Sequence, residues 1–190
     1  ENHLVFKEKT MKFYIQILLA VLIFSCVPPP EIPPQEGIFR LCFDASCFRS
    51  LLIREIENSR EVIQTALYGF SDKAITEALI QAAQRGIRIE LISDYDSESQ
   101  AGFQALIQLK TQNALPDSRI FIRFGNLSGI MHNKYWIFDG KTLITGSANL
   151  TSGMEDHFNH LIALESPGLA EFFQSDFERM KGGAFAATKD

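Results

Sequence analysis

The sequence predicts an α/β protein, a single α-β-α sandwich on a mixed, largely parallel sheet. Three observations predict it. From Ile38 onward short apolar strands alternate with amphipathic helices, which is the pattern of βα units. Beyond residue 131 the strands follow one another without long helices, as in hairpins. At 190 residues, 46% hydrophobic and 22% charged, the chain suits one water-facing domain, and a mean hydropathy of 0.00 excludes a protein that crosses a bilayer many times.

The elements follow in order. Phe39–Phe43 is a strand candidate. A helix from about Ser46 to Asn58 places Phe48, Leu51, Leu52 and Ile56 on one face. Val62–Phe70 reads as a buried strand. Asp72 caps a helix with the stripe Ile75, Ala78, Leu79 and Ala82, and Gly86 stands where a left-handed C-terminal residue is wanted. Ile87–Ile92 is the next strand. A helix around Gln100–Asn113, buried through Phe103, Leu106 and Ile107, leads past Pro116 to strand Arg119–Phe124. Strands His132–Phe138, Leu143–Ala148 and His160–Glu165 complete the sheet, with Asp139–Gly140 as the turn between the first two. Ser166–Pro167 opens a last helix that buries Leu169, Phe172, Phe173 and Phe177.

The folded domain is placed at 37–182, with 183–190 as a flexible tail. Residues 1–10 read as an upstream extension or expression remnant. Met11–Lys12, the apolar run Phe13–Phe24 and Ser25 at 11–25 have the make-up of a secretory signal, whose core of roughly 12 residues is short of the about 20 that a spanning helix needs. Ile23–Phe24–Ser25–Cys26 resembles the lipobox of bacterial lipoproteins, although Phe24 stands where a small residue is preferred. Cys26 is thus the expected lipid anchor, and the protein is expected to be exported and held on a bacterial membrane, facing the periplasm or the cell surface. Cleavage without lipid and retention of an uncleaved anchor are the alternatives. Val27–Glu36 holds five of the seven prolines, so 26–36 is an extended spacer with a reach of roughly 30 Å. Cys42 and Cys47 either bond or remain free thiols, since spacing alone does not settle it.

The net charge is −5, and without residues 1–25 the chain has 15 basic and 21 acidic residues. No broad basic face is advertised. A few local cations suffice to hold one phosphate, so the charge weighs against nucleic acid without excluding it.

Residues 132–149 read HNKYWIFDGKTLITGSAN, in which His132, Lys134, Asp139, Gly146, Ser147 and Asn149 stand in fixed spacing. Chance coincidence of six such residues is on the order of 10⁻⁸ per starting position. On strands, His132 and Lys134 would share a face, as would Ser147 and Asn149, and a hairpin at Asp139–Gly140 would gather both pairs around one phosphate. The residue types suit phosphoryl transfer: His132 as nucleophile, Lys134 and Asn149 on the non-bridging oxygens, the Ser147 hydroxyl as a further donor and Asp139 as structural organiser. This set needs no metal and no cofactor.

The motif is the signature of the phospholipase D superfamily, and ALYGFSDKAITEALIQAAQRGIRIELISD at 66–94 is similar to the strand–helix–strand region of its small, single-motif bacterial nucleases. The resemblance covers roughly Arg40 to Lys181 and implies a phospholipase D-like fold. It implies that one histidine attacks phosphorus while a second, from another copy of the motif, protonates the leaving oxygen. A homodimer follows, because this chain supplies one motif. Nucleic acid is the implied substrate through a phosphohistidine, with 5′-phosphate products; phospholipid headgroup hydrolysis is the alternative. A confined cleft on an acidic protein suggests single-stranded DNA, with RNA as a further candidate. The resemblance also implies a glutamate about 28 residues after the histidine to orient the imidazole, but His160 stands there. Glu155, Asp156, Glu165 or another tautomer are the candidates to replace it. His157, His160 and Asp156 lack the further ligands of a metal site. Of the aromatic residues, Tyr68, Phe70, Tyr135 and Trp136 are the candidates for the cleft, with at most one of Tyr135 and Trp136 facing it.

Overall fold

The computed structural model describes residues 39–112, 119–125 and 129–183, and the backbone of 188–189. The chain divides into two compact units, 1–33 and 34–190, and the described residues all belong to the second. The leader, Cys26, the spacer and the turn at Pro116 lie outside them.

The elements are β1 (Phe39–Cys42), α1 (Ala45–Asn58), β2 (Val62–Leu67), α2 (Lys73–Gln84), β3 (Arg88–Asp94), α3 (Ala101–Thr111), β4 (Ile120–Gly125), β5 (Lys134–Phe138), β6 (Thr142–Gly146), β7 (Leu161–Glu165), α4 (Pro167–Lys181) and β8 (Thr188–Lys189). Two single 3₁₀ turns, Tyr95–Ser97 and Met154–Asp156, precede α3 and β7. Side chains open three of the helices by accepting orphan backbone N–H groups: Asp44 from Cys47 (2.9 Å), Asp72 from Ile75 (3.1 Å) and Ser166 from Leu169 (3.3 Å). Gly86 closes α2 in the left-handed region, with φ 98°.

The strands form one mixed sheet in the order β1-β7-β6-β5-β2-β3-β4-β8. Parallel pairing is confined to β2–β3 and β3–β4; the remaining neighbours are antiparallel. The expectation of a largely parallel sheet therefore holds for that half alone. The difference begins at β1, which leads into a helix yet crosses to the far edge to pair with β7. At the other edge β8 pairs with β4, so part of the expected tail covers open backbone groups that an edge strand would otherwise leave to solvent.

Helices cover both faces. Against α1, α2 and α3 lies the larger core, with Phe48, Leu52, Leu79 and Phe103 packed on Ile63, Leu91 and Trp136. On the opposite face α4 buries Phe177 and Met180 against Ala66, Ile92, Tyr135 and Ile137. Phe172 departs from the expected stripe: it is 40% exposed, because α4 turns Ala170, Phe177 and Met180 inward and leaves Phe172 to one side. Cys42 and Cys47 are bonded, tying the end of β1 to the first turn of α1.

Candidate active site

The β5–β6 hairpin fixes which motif residues can meet. Tyr135 pairs with Thr145 and Phe138 with Thr142, so the start of β5 and the end of β6 lie at one end of the sheet. The turn lies at the other end. Lys134 begins β5, and Ser147 follows β6 directly. His132 is not in the strand as expected, because the backbone before Lys134 bonds elsewhere: Met131 N donates to Asp94 Oδ2 at 2.7 Å, and Asn133 O accepts from Tyr68 N at 3.1 Å. Ser147 and Asn149 likewise lie beyond β6, in a loop held by the 69–72 segment.

His132 is exposed, and its ring meets the edge of Tyr68 with centroids 4.7 Å apart. Among the described residues no hydrogen bond reaches the imidazole. Lys134 is buried, in contrast to the exposed His132. Its Nζ donates to the His132 carbonyl at 3.0 Å and lies 5.6 Å from the Tyr68 ring centroid. Burial holds the Lys134 ammonium below its ordinary pKa of 10.5. A cation kept in such a place gains most from an arriving anion.

Asn149 lies against the same segment. A Cβ on Gly69 would lie 3.0 Å from Asn149 Cβ, so glycine lets Asn149 approach without crowding. Leu150 N donates to Gly69 O (3.0 Å), and Leu150 O accepts from Ser71 N (2.8 Å) and Asp72 N (3.0 Å). Asn149 Oδ1 is buried with no partner among the described residues, and an unmet polar atom of this kind is costly unless function keeps it. His132 and Lys134 thus meet Tyr68, and Asn149 meets its neighbour Gly69.

Ser147 is committed differently from expectation. Its hydroxyl donates to Asn159 Oδ1 (2.9 Å), accepts from His160 N (3.1 Å) and lies 3.3 Å from His160 Nδ1. As a donor to phosphate it would have to leave Asn159. Its evident work is to join β6 to the start of β7. Asp139 stands at the opposite end of β5, about 16 Å along the strand from Lys134. Its carboxylate accepts the N–H groups of Arg60 (2.8 Å), Glu61 (2.9 Å) and Val62 (2.9 Å). It anchors the entry of β2 to the hairpin and does not touch the site.

Of the aromatic candidates, Tyr68 alone meets His132 and Lys134. Phe70, Tyr135 and Trp136 are core residues, Tyr135 and Trp136 in opposite layers. Glu155 is bound to the Arg49 guanidinium, which also reaches Asp72 at 2.8 Å; these bonds hold Glu155 below the usual carboxylate range. Glu165 ends β7 beside Thr142, at the hairpin-turn end. Neither serves His132. His157 and His160 are exposed in the segment before β7.

Residues 52–181 match the Cardiolipin synthase, PLD-like domain family. The chain belongs to the phospholipase D superfamily. This PLD-like chain is 34% identical over 142 residues to a phospholipase D of Rickettsia prowazekii, covering 73% of the chain and 65% of that relative's length. It superposes on Nuc of Salmonella typhimurium, a phospholipase D family member, with TM-score 0.64 and 25% identity over 75% of this chain and 93% of that one. NucT from Helicobacter pylori shares the fold at TM-score 0.67 and 24% identity, over 77% and 97% of the two chains. The supporting residues Arg49, Gly69 and Asp94 were not legible in the motif. Each acts on a partner far away in sequence, and only Asp94 carried a signal, as an acid at the carboxyl end of a parallel strand.

Proposed function

We propose that this chain is a metal-independent phosphodiesterase that hydrolyses nucleic acid, preferring single-stranded DNA and open to RNA, through a phosphohistidine on His132. The observation that carries the reading is the approach to Tyr68–Gly69 of His132, its ring free of hydrogen bonds, with the desolvated Lys134 ammonium and the Asn149 amide. A ring nitrogen of His132 attacks phosphorus and the bond to the leaving oxygen breaks. Lys134 and Asn149 hold the non-bridging oxygens as charge builds there. Water then attacks the phosphohistidine, leaving a 5′-phosphate and free His132.

The leaving oxygen needs a proton, and one motif per chain supports a homodimer in which a second copy's histidine gives it. The small single-motif format supports a nuclease. Phe158, fully exposed two residues before His160, offers a face on which an unpaired base can stack. The Rickettsia relative's name favours phospholipid headgroups as a second reading. Export and a lipid anchor on Cys26 are part of the proposal; the Cys42–Cys47 disulfide supports an oxidising compartment.

Single- and double-stranded DNA, RNA and phosphatidylcholine vesicles incubated with the protein in excess EDTA test this reading. Oligonucleotide cleavage, faster on single strands, is expected. Headgroup release without oligonucleotide cleavage would replace the substrate, and loss of all activity restored by a divalent ion would overturn the mechanism.

A further inference from the structure

Asp94 is a buried carboxylate, 3% exposed, at the carboxyl end of β3, and the reaction described above does not use it. Its two oxygens divide their work. Oδ1 accepts from Asp96 N at 3.2 Å and opens the 3₁₀ turn Tyr95–Ser97; Oδ2 accepts from Met131 N at 2.7 Å. The second bond spans 37 residues and ends one residue before His132. It is short, and its acceptor is a carboxylate in a buried place, where such bonds are stronger than neutral ones.

The turn that Asp94 opens also braces Tyr68. Ser97 Oγ donates to Tyr68 O at 2.6 Å, and Gln100 Oε1 accepts from Phe70 N at 2.6 Å. Tyr68 N in turn donates to Asn133 O at 3.1 Å, and the Tyr68 ring meets His132. Residue 131 is therefore tied to Asp94 directly, while residues 132 and 133 are tied to it through Tyr68. The backbones of Lys134 and Asn149 have other supports: β5 pairing for the first, Gly69 and the 71–72 amides for the second; the Lys134 Nζ alone shares His132 O and the Tyr68 ring.

We infer that Asp94 is a positioning residue for His132, fixing the backbone from which the nucleophile is aimed, with little part in holding the phosphate. The inference rests on His132 as nucleophile. Removing the carboxylate breaks the bond to Met131 N and loosens the Tyr95–Ser97 turn together, so the His132 backbone loses its aim while the backbones of Lys134 and Asn149 keep theirs. A misplacement of about 1 Å in a reacting group costs on the order of 10²-fold in rate.

The test uses bis(p-nitrophenyl) phosphate, whose phosphodiester is common to nucleic acid and lipid, in single-turnover reactions with the full chain in excess. At saturating enzyme the rate constant reports the step within the bound complex, so a lower folded fraction does not move it. Asp94→Ala is expected to lower that constant by about 10- to 100-fold, with the half-saturating enzyme concentration, corrected for folded fraction by circular dichroism, changed less than about threefold. Asp94→Asn keeps one carbonyl oxygen but turns an NH2 group toward one of the two N–H donors, so it is expected to lose less. His132→Ala in the same assay separates the two readings. If His132→Ala is inactive while Asp94→Ala and Asp94→Asn stay within about twofold of the unsubstituted chain, the inference is overturned and the nucleophile stands. If Asp94→Ala does not fold, Asp94→Asn within that margin overturns it alone. Full activity in His132→Ala would overturn the reading on which it rests.

Discussion

Lys134 carries the clearest pH signature at the residue scale. Desolvation lowers its pKa from 10.5, so the free protein loses this charge at a lower pH than an exposed lysine would. In the proposed reaction phosphate binding uses the ammonium, and kcat/KM reports the free protein. Its alkaline limb should therefore fall below 10.5, and Lys134→Arg should move that limb upward, at some cost in rate from the altered geometry. The same shift acts on stability: while both states are protonated, the cost of burying the charge is fully present, and it is relieved as pH rises through the folded pKa. Asn149→Ala should reduce kcat by about 10²–10³-fold, the usual loss for one donor to a developing charge. Steady-state kinetics on an oligonucleotide checks both. The motif made His132, Lys134 and Asn149 legible because their chemistry is carried by residue type. The commitment of the Ser147 hydroxyl was not legible, since it depends on Asn159 and His160 arriving from another strand.

At the scale of elements, Asp139 is expected to govern stability and to leave chemistry alone. It adopts φ 51° beside Gly140 at φ 63° and gathers three N–H groups at the start of β2. Asp139→Ala should cost about 2 kcal/mol in urea unfolding, while the saturating single-turnover rate constant stays near that of the unsubstituted chain. Gly146→Ala should fare worse, because its Cβ would fall 2.1 Å from His160 O, a backbone clash that pushes β7 away from Ser147. The caps at Asp72 and Ser166 and the turn at Asp139–Gly140 were legible because a side chain and its own neighbouring backbone decide them. The strand ends at His132 and Ala148 were not. There the backbone leaves the ladder for Asp94, Tyr68 and Gly69, partners that no local pattern announces.

For the whole molecule, alternating strands and helices made the α-β-α sandwich legible, since each apolar face needs a covering layer. The pairing of β1 with β7 across 120 residues of chain was not, because edge placement depends on which strand is left unpaired at the end. Assembly is the main expectation here. If a second copy gives the proton to the leaving oxygen, His132→Ala chains mixed in excess with active chains should suppress activity more than simple dilution does. Full activity from a monomer, shown by light scattering at assay concentration, would contradict the dimer. The central claim is the covalent one. Its most direct measurement is intact-mass and peptide analysis of the protein quenched in alkali, where phosphohistidine survives, during turnover of bis(p-nitrophenyl) phosphate in excess EDTA. A p-nitrophenyl phosphoryl adduct is expected on the peptide containing His132, absent in His132→Ala; sustained turnover with no adduct at any time point, or an adduct on another residue, would contradict a phosphohistidine on His132.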